Sequence, residues 1–261
     1  MNLPGRRDDP WQALRQRTSA RVALGRAGAS LPTAEVLRFA MDHAEARDAV
    51  HGAADFDALE GGLAATGVPI VRVASRAEDR DAYVRFPDRG RRLRDEDRAA
   101  LAAATDLHGR DVALLVGDGL SAAALRHAPP LVALLLAELA KPPAVSAGPI
   151  LLVRHARVAI EDDVGEALRA RAALILLGER PGLGAADSLG GYFVHAPRVG
   201  RTDADRNCVS NIRPAGLPLA TAAATLAYLI RQSLARDISG VLLKDERNAN
   251  LVPSLATAGE G

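Results

Sequence analysis

The chain has one cysteine, one tryptophan and two methionines in 261 residues, and aromatic side chains make up only 3 % of it. A single cysteine excludes an intrachain disulfide framework and a CxxC metal knuckle, and points to an intracellular, reducing setting. The scarcity of aromatics excludes a core built on rings. The apolar fraction is 48 %, much of it alanine, so the core is expected to consist of Leu, Val, Ile and Ala layers with closely packed helices. An excess of either charge is also missing. Thirty-three Lys and Arg stand against 32 Asp and Glu, for a formal net charge of +1, which gives no electrostatic case for a nucleic-acid partner. Long apolar runs are absent too. The richest, Leu131 to Leu139, is too short to span a bilayer and contains Glu138, so no membrane segment is expected. The opening MNLPGRRDDPW lacks the apolar stretch of a secretory signal. His43, His51, His108, His127, His155 and His195 are scattered, and none forms a ligand pair at metal spacing. There is no internal repeat.

What is present alternates. Met1 to Asp9 reads as a loose arm, with Asp9-Pro10-Trp11 able to start a short helix. Thr18 to Ser30 reads as an irregular connector. Thr33 to His51 is a clear helix, with Val36, Leu37, Ala40, Ala44 and Val50 near one face and Arg38, Asp42, Glu45 and Arg47 on others. A second helix is expected over Asp55 to Thr66, a strand over Val68 to Val73, a basic turn over Arg85 to Leu93 and a helix over Asp95 to Ala104. From Asp111 the style changes. Short apolar strands (Val112 to Val116, Ile150 to Val153, Leu174 to Leu177, Tyr192 to Ala196) alternate with helices. Pro129-Pro130 is expected to interrupt the first of these helices, which Leu131 to Ala140 continues. Asp162 or Asp163 is expected to cap the second, and Leu219 to Arg236 forms a long one. Arg201 to Arg213 is read as a polar loop. The fold class that follows is α/β: a Rossmann-like, mostly parallel sheet with a helical N-terminal region. The expected division is 1–110 for the mainly helical region, 111–250 for the Rossmann-like domain and 251–261 for a disordered tail.

In an open parallel sheet, ligands bind outside the carboxyl ends of the strands. Three segments should gather there: Gly117 to Ser121, Gly178 to Gly184, and the segment around Cys208. Gly117-Asp118-Gly119-Leu120-Ser121-Ala122 formally fits the dinucleotide pattern G-x-G-x-x-A, but the next strand ends in Val153-Arg154-His155, with no acid for a ribose. The alternative is a tight strand-to-helix turn. Glu179 is either a surface partner of Arg180 or a carboxylate accepting hydrogen bonds from a ligand. Cys208 is either a small buried side chain or a nucleophile beside His195 or His155. The run Arg89 to Arg94 is either a solvated face or an anion site.

Several stretches do more when read together. Val116-Gly117-Asp118-Gly119-Leu120-Ser121, Arg157-Val158-Ala159-Ile160-Glu161-Asp162, Gly178-Glu179-Arg180-Pro181-Gly182-Leu183, Ala196-Pro197-Arg198 and Asp205-Arg206-Asn207-Cys208-Val209-Ser210-Asn211-Ile212 resemble the small subunit of ethanolamine ammonia-lyase. So do Arg85 to Leu93 and Arg21 to Gly28. The blocks are ungapped, occur in the same order and run from about Asp9 to Glu246. The resemblance implies a part of an adenosylcobalamin-dependent lyase that converts ethanolamine to acetaldehyde and ammonia by a radical mechanism. It implies a large TIM-barrel subunit as partner in a higher hetero-oligomer, with the catalytic residues on that partner and this chain closing the cobalamin site at the interface. Cobalamin-contacting positions of the family fall on Val158, Glu179 and Cys208. The chain lacks the D-x-H-x-x-G motif that supplies a histidine to cobalt; the nearest string, Asp106-Leu107-His108-Gly109, has its glycine in the wrong place. A cobalamin bound here is therefore expected to keep its own benzimidazole on the metal. The expected location is the cytoplasm, or a bacterial microcompartment within it. The competing readings are a self-contained nucleotide-binding enzyme and a purely structural subunit.

Overall fold

The computed structural model describes residues 6–7, 11–18 and 20–247. The tail after Asn250, and with it 251–261, lies outside these residues, as does most of the arm Met1 to Asp9. Two short strands, β1 (Arg6–Arg7) and β2 (Arg26–Ala27), pair antiparallel near the start. Helix α1 (Thr33–His51) follows, then α2 (Phe56–Ala64), β3 (Ile70–Ala74), α3 (Arg80–Arg85) and α4 (Asp95–Ala103). The second half runs β4 (Val112–Gly117), α5 (Ala128–Leu139), β5 (Ala147–Arg154), α6 (Ile160–Ala167), β6 (Ala172–Gly178), β7 (Leu189–His195), β8 (Arg206–Ile212) and α7 (Leu219–Arg236).

Six strands form one sheet in the order β3-β5-β4-β6-β7-β8. The first four are mutually parallel, and β7 and β8 return antiparallel, so the α/β, mostly parallel architecture is present. β4 and β6 carry no exposed residue, because both sheet faces are covered and the strands can be apolar throughout. One face packs against Leu59 and Leu63 of α2, Leu131 and Leu135 of α5 and Leu226 and Ile230 of α7. The other packs against Leu101 of α4 and Ile160 and Val164 of α6. Each such fully buried Leu or Ile contributes about 1.5–3 kcal/mol. The edge strand β3 precedes residue 110, so the sheet draws on both halves of the chain.

Three expectations need correction. Arg206–Ile212 is a strand, not loop. Only Val209 and Ile212 of it reach the core, and its polar residues are paired instead. The Asn207 side chain donates to Gly240 O (3.1 Å) and Leu243 O (2.9 Å) and accepts from Gly240 N (2.7 Å). Pro129-Pro130 does not interrupt a helix. Residues Ala122–His127 form a 3-10 turn and the prolines sit in the first turn of α5, where a missing N–H costs nothing. Asp162 and Asp163 do not cap α6. They lie in its first turn with Glu161, where negative charge suits the helix dipole, and all three are buried. Helix α1 has the expected bounds; on its apolar face Val36, Leu37 and Ala40 are exposed and Ala44 and Val50 half-buried. Helix α3, capped by the Asp79 carboxylate accepting from Ala82 N (2.7 Å), has no counterpart in the sequence reading.

Candidate functional site

The loops after β4, β5 and β6 meet at the carboxyl edge of the sheet, as the topology requires. The Gly117–Ser121 turn is closed by the protein itself. Leu120 N donates to Gly178 O (2.9 Å), and a Cβ on Gly119, at φ +56°, would stand 2.2 Å from that oxygen. A Cβ on Gly178 would meet Ser121 O at 2.1 Å. These glycines let two turns lock backbone to backbone. The space a pyrophosphate would need is filled, and a 3-10 turn rather than an α-helix N-terminus follows. The geometry is that of a tight turn, not a dinucleotide site.

The open surface lies further along the sheet. Ile175, Tyr192 and Cys208 pair across β6, β7 and β8, forming one row on the face that carries α6. The neighbouring row is Ala173, Val194 and Arg206, and there the first turn of α6 sits directly above Arg206. One step beyond, the cover ends. Tyr192 is half-buried, and Cys208 is exposed. Val158, two residues before α6, packs on the same apolar cluster as Tyr192. Glu179 follows β6 on the adjoining edge. Its Oε2 accepts from Asn211 N at 3.1 Å and from Ser188 Oγ, so Ser188 and Asn211, not Arg180, hold it. Its Oε1 has no hydrogen-bond partner among the described residues. Gly190 keeps this corner open: a Cβ there would lie 2.8 Å from Glu179 Oε1 and 2.9 Å from Tyr192 Cε2. Glu179, Tyr192 and Cys208 thus adjoin one another, and Val158 lies on the same face of the sheet.

Electrostatics separate binding from nucleophilic chemistry here. Crowding by neighbouring atoms, and then the Glu179 charge, push the Cys208 thiol above its ordinary value. Burial first, and then the charges that Cys208 and Glu179 can carry, push the Tyr192 phenol up in the same way. Both stay protonated at neutral pH. Neither histidine is placed to activate the thiol. His195 sits at the far end of β7, opposite Ala172, and His155 Nδ1 lies 3.2 Å from Ala77 O with its ring stacked on Tyr83. His108 Nε2 is 2.8 Å from Leu101 O.

Sequence reasoning missed a buried charge cluster that fixes two walls of this face. Arg206 Nη1 donates to Glu161 Oε1 (2.6 Å) and Asp162 Oδ1 (3.0 Å), and Nη2 donates to Asp162 Oδ2 (2.6 Å). Burial drives Glu161 well above the usual carboxylate range despite the Arg206 charge. Burial would depress Arg206, but the two carboxylates hold its cation above its ordinary value. Asp163 reaches the other way, accepting from Leu93 N (3.0 Å) and Arg98 Nε (2.8 Å). The available signal was the run Glu161-Asp162-Asp163 at a helix start, facing a lone arginine in a strand-like Arg206-Asn207-Cys208-Val209.

Known proteins show the family of the chain. Residues 8–244 match the family model of the ethanolamine ammonia-lyase light chain. A protein of Azotobacter vinelandii named ethanolamine ammonia-lyase small subunit is 53 % identical over 259 residues, covering 97 % of this chain and 94 % of that one. Its namesake in Ralstonia nicotianae is 53 % identical over 248 residues, covering 94 % and 91 %. That of Bradyrhizobium diazoefficiens is 50 % identical over 240 residues, covering 91 % of each.

Proposed function

The chain belongs to the ethanolamine ammonia-lyase light-chain family, and from that premise we propose that it is the small subunit of an adenosylcobalamin-dependent enzyme and closes the cofactor site against a large catalytic subunit. The observation that carries the reading is the uncovered face framed by Val158, Glu179, Tyr192 and Cys208 beyond the start of α6.

The residues suit the cofactor. Corrin is a broad, partly apolar ring edged by amides. Val158 and the Tyr192 ring offer apolar contact. Glu179 Oε1, with no hydrogen-bond partner among the described residues and beside the bare Cα of Gly190, offers an acceptor for an amide N–H. The protonated Cys208 thiol offers a small, soft contact. Adenosylcobalamin supplies the radical chemistry when bound; the protein supplies binding, orientation and burial. Ser188 and the Asn211 N–H fix the carboxylate. Arg206 ties the strand that bears Cys208 to the helix that follows Val158. No residue of this chain is assigned a catalytic step. The partner is a large TIM-barrel subunit in a higher hetero-oligomer, and the setting is the cytoplasm or a microcompartment within it.

A titration of the assembled two-subunit complex with cobalamin, followed by absorption, tests the assignment. Glu179→Ala removes one charge-assisted hydrogen bond and should weaken binding roughly tenfold, and Cys208→Trp should weaken it further by filling the face. Unchanged affinity in both variants would leave only a structural subunit.

A further inference from the structure

The corner between β5 and α6 is bent against the ordinary preference of its residues. His155 stands at φ +57°, a left-handed conformation that a residue with a side chain keeps only when its surroundings hold it there. Groups from other segments hold it. The Asp118 carboxylate, just after β4, accepts from His155 N and, through Oδ1, from Ala156 N at 3.1 Å. Tyr83 Oη, on α3, donates to Ala156 O at 2.9 Å. Arg157 N donates to Gly90 O at 2.8 Å, and a Cβ on Gly90 would stand 2.7 Å from Arg157 Cγ. Tyr83 and Asp118 are 0 % and 4 % exposed. The corner grips back: the Arg157 guanidinium lies 4.3 Å from the Tyr83 ring centroid and Nη2 donates to Tyr83 O at 3.0 Å. Arg80 steadies both holders, with Nη1 3.7 Å from Asp118 Oδ2 and its guanidinium 4.8 Å from the Tyr83 ring centroid. The next residue of the chain after Arg157 is Val158, half-buried, and α6 begins at Ile160.

We infer that Tyr83 and Asp118 are positioning residues for the cofactor face: by holding the His155–Ala156 bend they set where Val158 stands. The inference rests on the small-subunit reading above, which makes Val158 a contact of the corrin. Both ends of the corner are anchored without them. β5 lies inside the sheet between β3 and β4. The first turn of α6 is tied by Arg206 to Glu161 and Asp162, and by Leu93 N to Asp163. What Tyr83 and Asp118 fix is therefore the short link between these anchors, and Val158 is the residue of that link on the cofactor side. Strain of this kind persists where one particular course of the chain is required.

The test is a double-mutant cycle on adenosylcobalamin binding to the assembled two-subunit complex, read by absorption, with circular dichroism of each variant. Tyr83→Phe removes one hydroxyl and should weaken binding about fivefold, the worth of one hydrogen bond. Val158→Ala should weaken it about tenfold. The double variant should bind like Val158→Ala alone, because the hydroxyl acts through that side chain. Asp118→Asn keeps an acceptor at the bend and should stay within about threefold of the parent, whereas Asp118→Ala should lose about tenfold. Tyr83→Phe, the milder change, decides the matter should Asp118→Ala fail to fold. Losses from Tyr83→Phe and Val158→Ala that simply multiply would mean general support for the fold and overturn the proposal. Parent-like binding by Tyr83→Phe beside a weakened Val158→Ala overturns it too, and in both cases the small-subunit reading stands. Asp118→Asn as weak as Asp118→Ala removes Asp118 from it. Parent-like binding by Val158→Ala overturns the placing of Val158 on the cofactor, and the proposal with it.

Discussion

Arg206→Met puts the buried cluster to the most searching test. Arg206, Glu161 and Asp162 have side chains 4 %, 0 % and 4 % exposed. The guanidinium makes three charge-assisted hydrogen bonds to the two carboxylates. Removing the cation leaves two acids in a dry site, and breaking a buried pair in this way costs about 3–5 kcal/mol. For a domain of this size each kcal/mol moves Tm by roughly 2–4 °C, so the expected fall is roughly 6–20 °C. The loss must also depend on pH. Glu161 and Asp162 already sit above their ordinary values because of burial, and losing Arg206 raises both further. A folded state with raised carboxylate pKa values binds more protons than the unfolded one, so stability declines as pH rises through the window above the ordinary carboxylate range. The Arg206→Met penalty should therefore be largest near pH 8 and shrink towards pH 4–5, where the acids are protonated. Glu161→Met/Asp162→Leu/Arg206→Met should recover most of the stability, since a buried cluster replaced by apolar side chains is often neutral. Urea and thermal unfolding from pH 4.5 to 8 measure all of this. A penalty below ~1 kcal/mol, or one that is the same at both ends of that range, would refute the reasoning.

Two further predictions concern single positions. Iodoacetamide should alkylate Cys208 in the isolated chain only slowly at pH 7, with the rate rising beyond the ordinary thiol midpoint, and cobalamin with the large subunit should protect it; mass spectrometry follows the adduct. Gly119→Ala should destabilise by about 2 kcal/mol or more, because the new Cβ meets Gly178 O at 2.2 Å from a φ of +56°; denaturant melts measure it, and NADH should fail to protect either form.

Much of the sheet was readable because β4 and β6 are buried on both faces and so must be apolar throughout. The helix ends of α1 and α7 were equally plain, at Thr33–His51 and Leu219–Arg236. Strand β8 was not, since its stability comes from Asn207 bridging to Gly240 and Arg206 bridging to α6, contacts remote in sequence that leave no period-2 pattern. For the same reason Asp162 read as a candidate helix cap and not as a partner of Arg206. The direction of the α1 stripe was unreadable because periodicity identifies an apolar face without saying what covers it. At the candidate site, Val158 entered through the resemblance to the family, which also turned Glu179 and Cys208, already candidates from their place near the strand ends, into binding positions. The open Oε1 of Glu179 and the Tyr192 wall became visible only with strand register in hand.

The central claim, that this chain completes a cobalamin-dependent lyase, is tested most directly by mixing it with the cognate large subunit and adenosylcobalamin and measuring acetaldehyde formed from ethanolamine. The account predicts turnover only when both subunits and the cofactor are present, rising with this chain until it matches the large subunit in amount. Full turnover by the large subunit alone, or none under any mixture of the two folded chains, would contradict it.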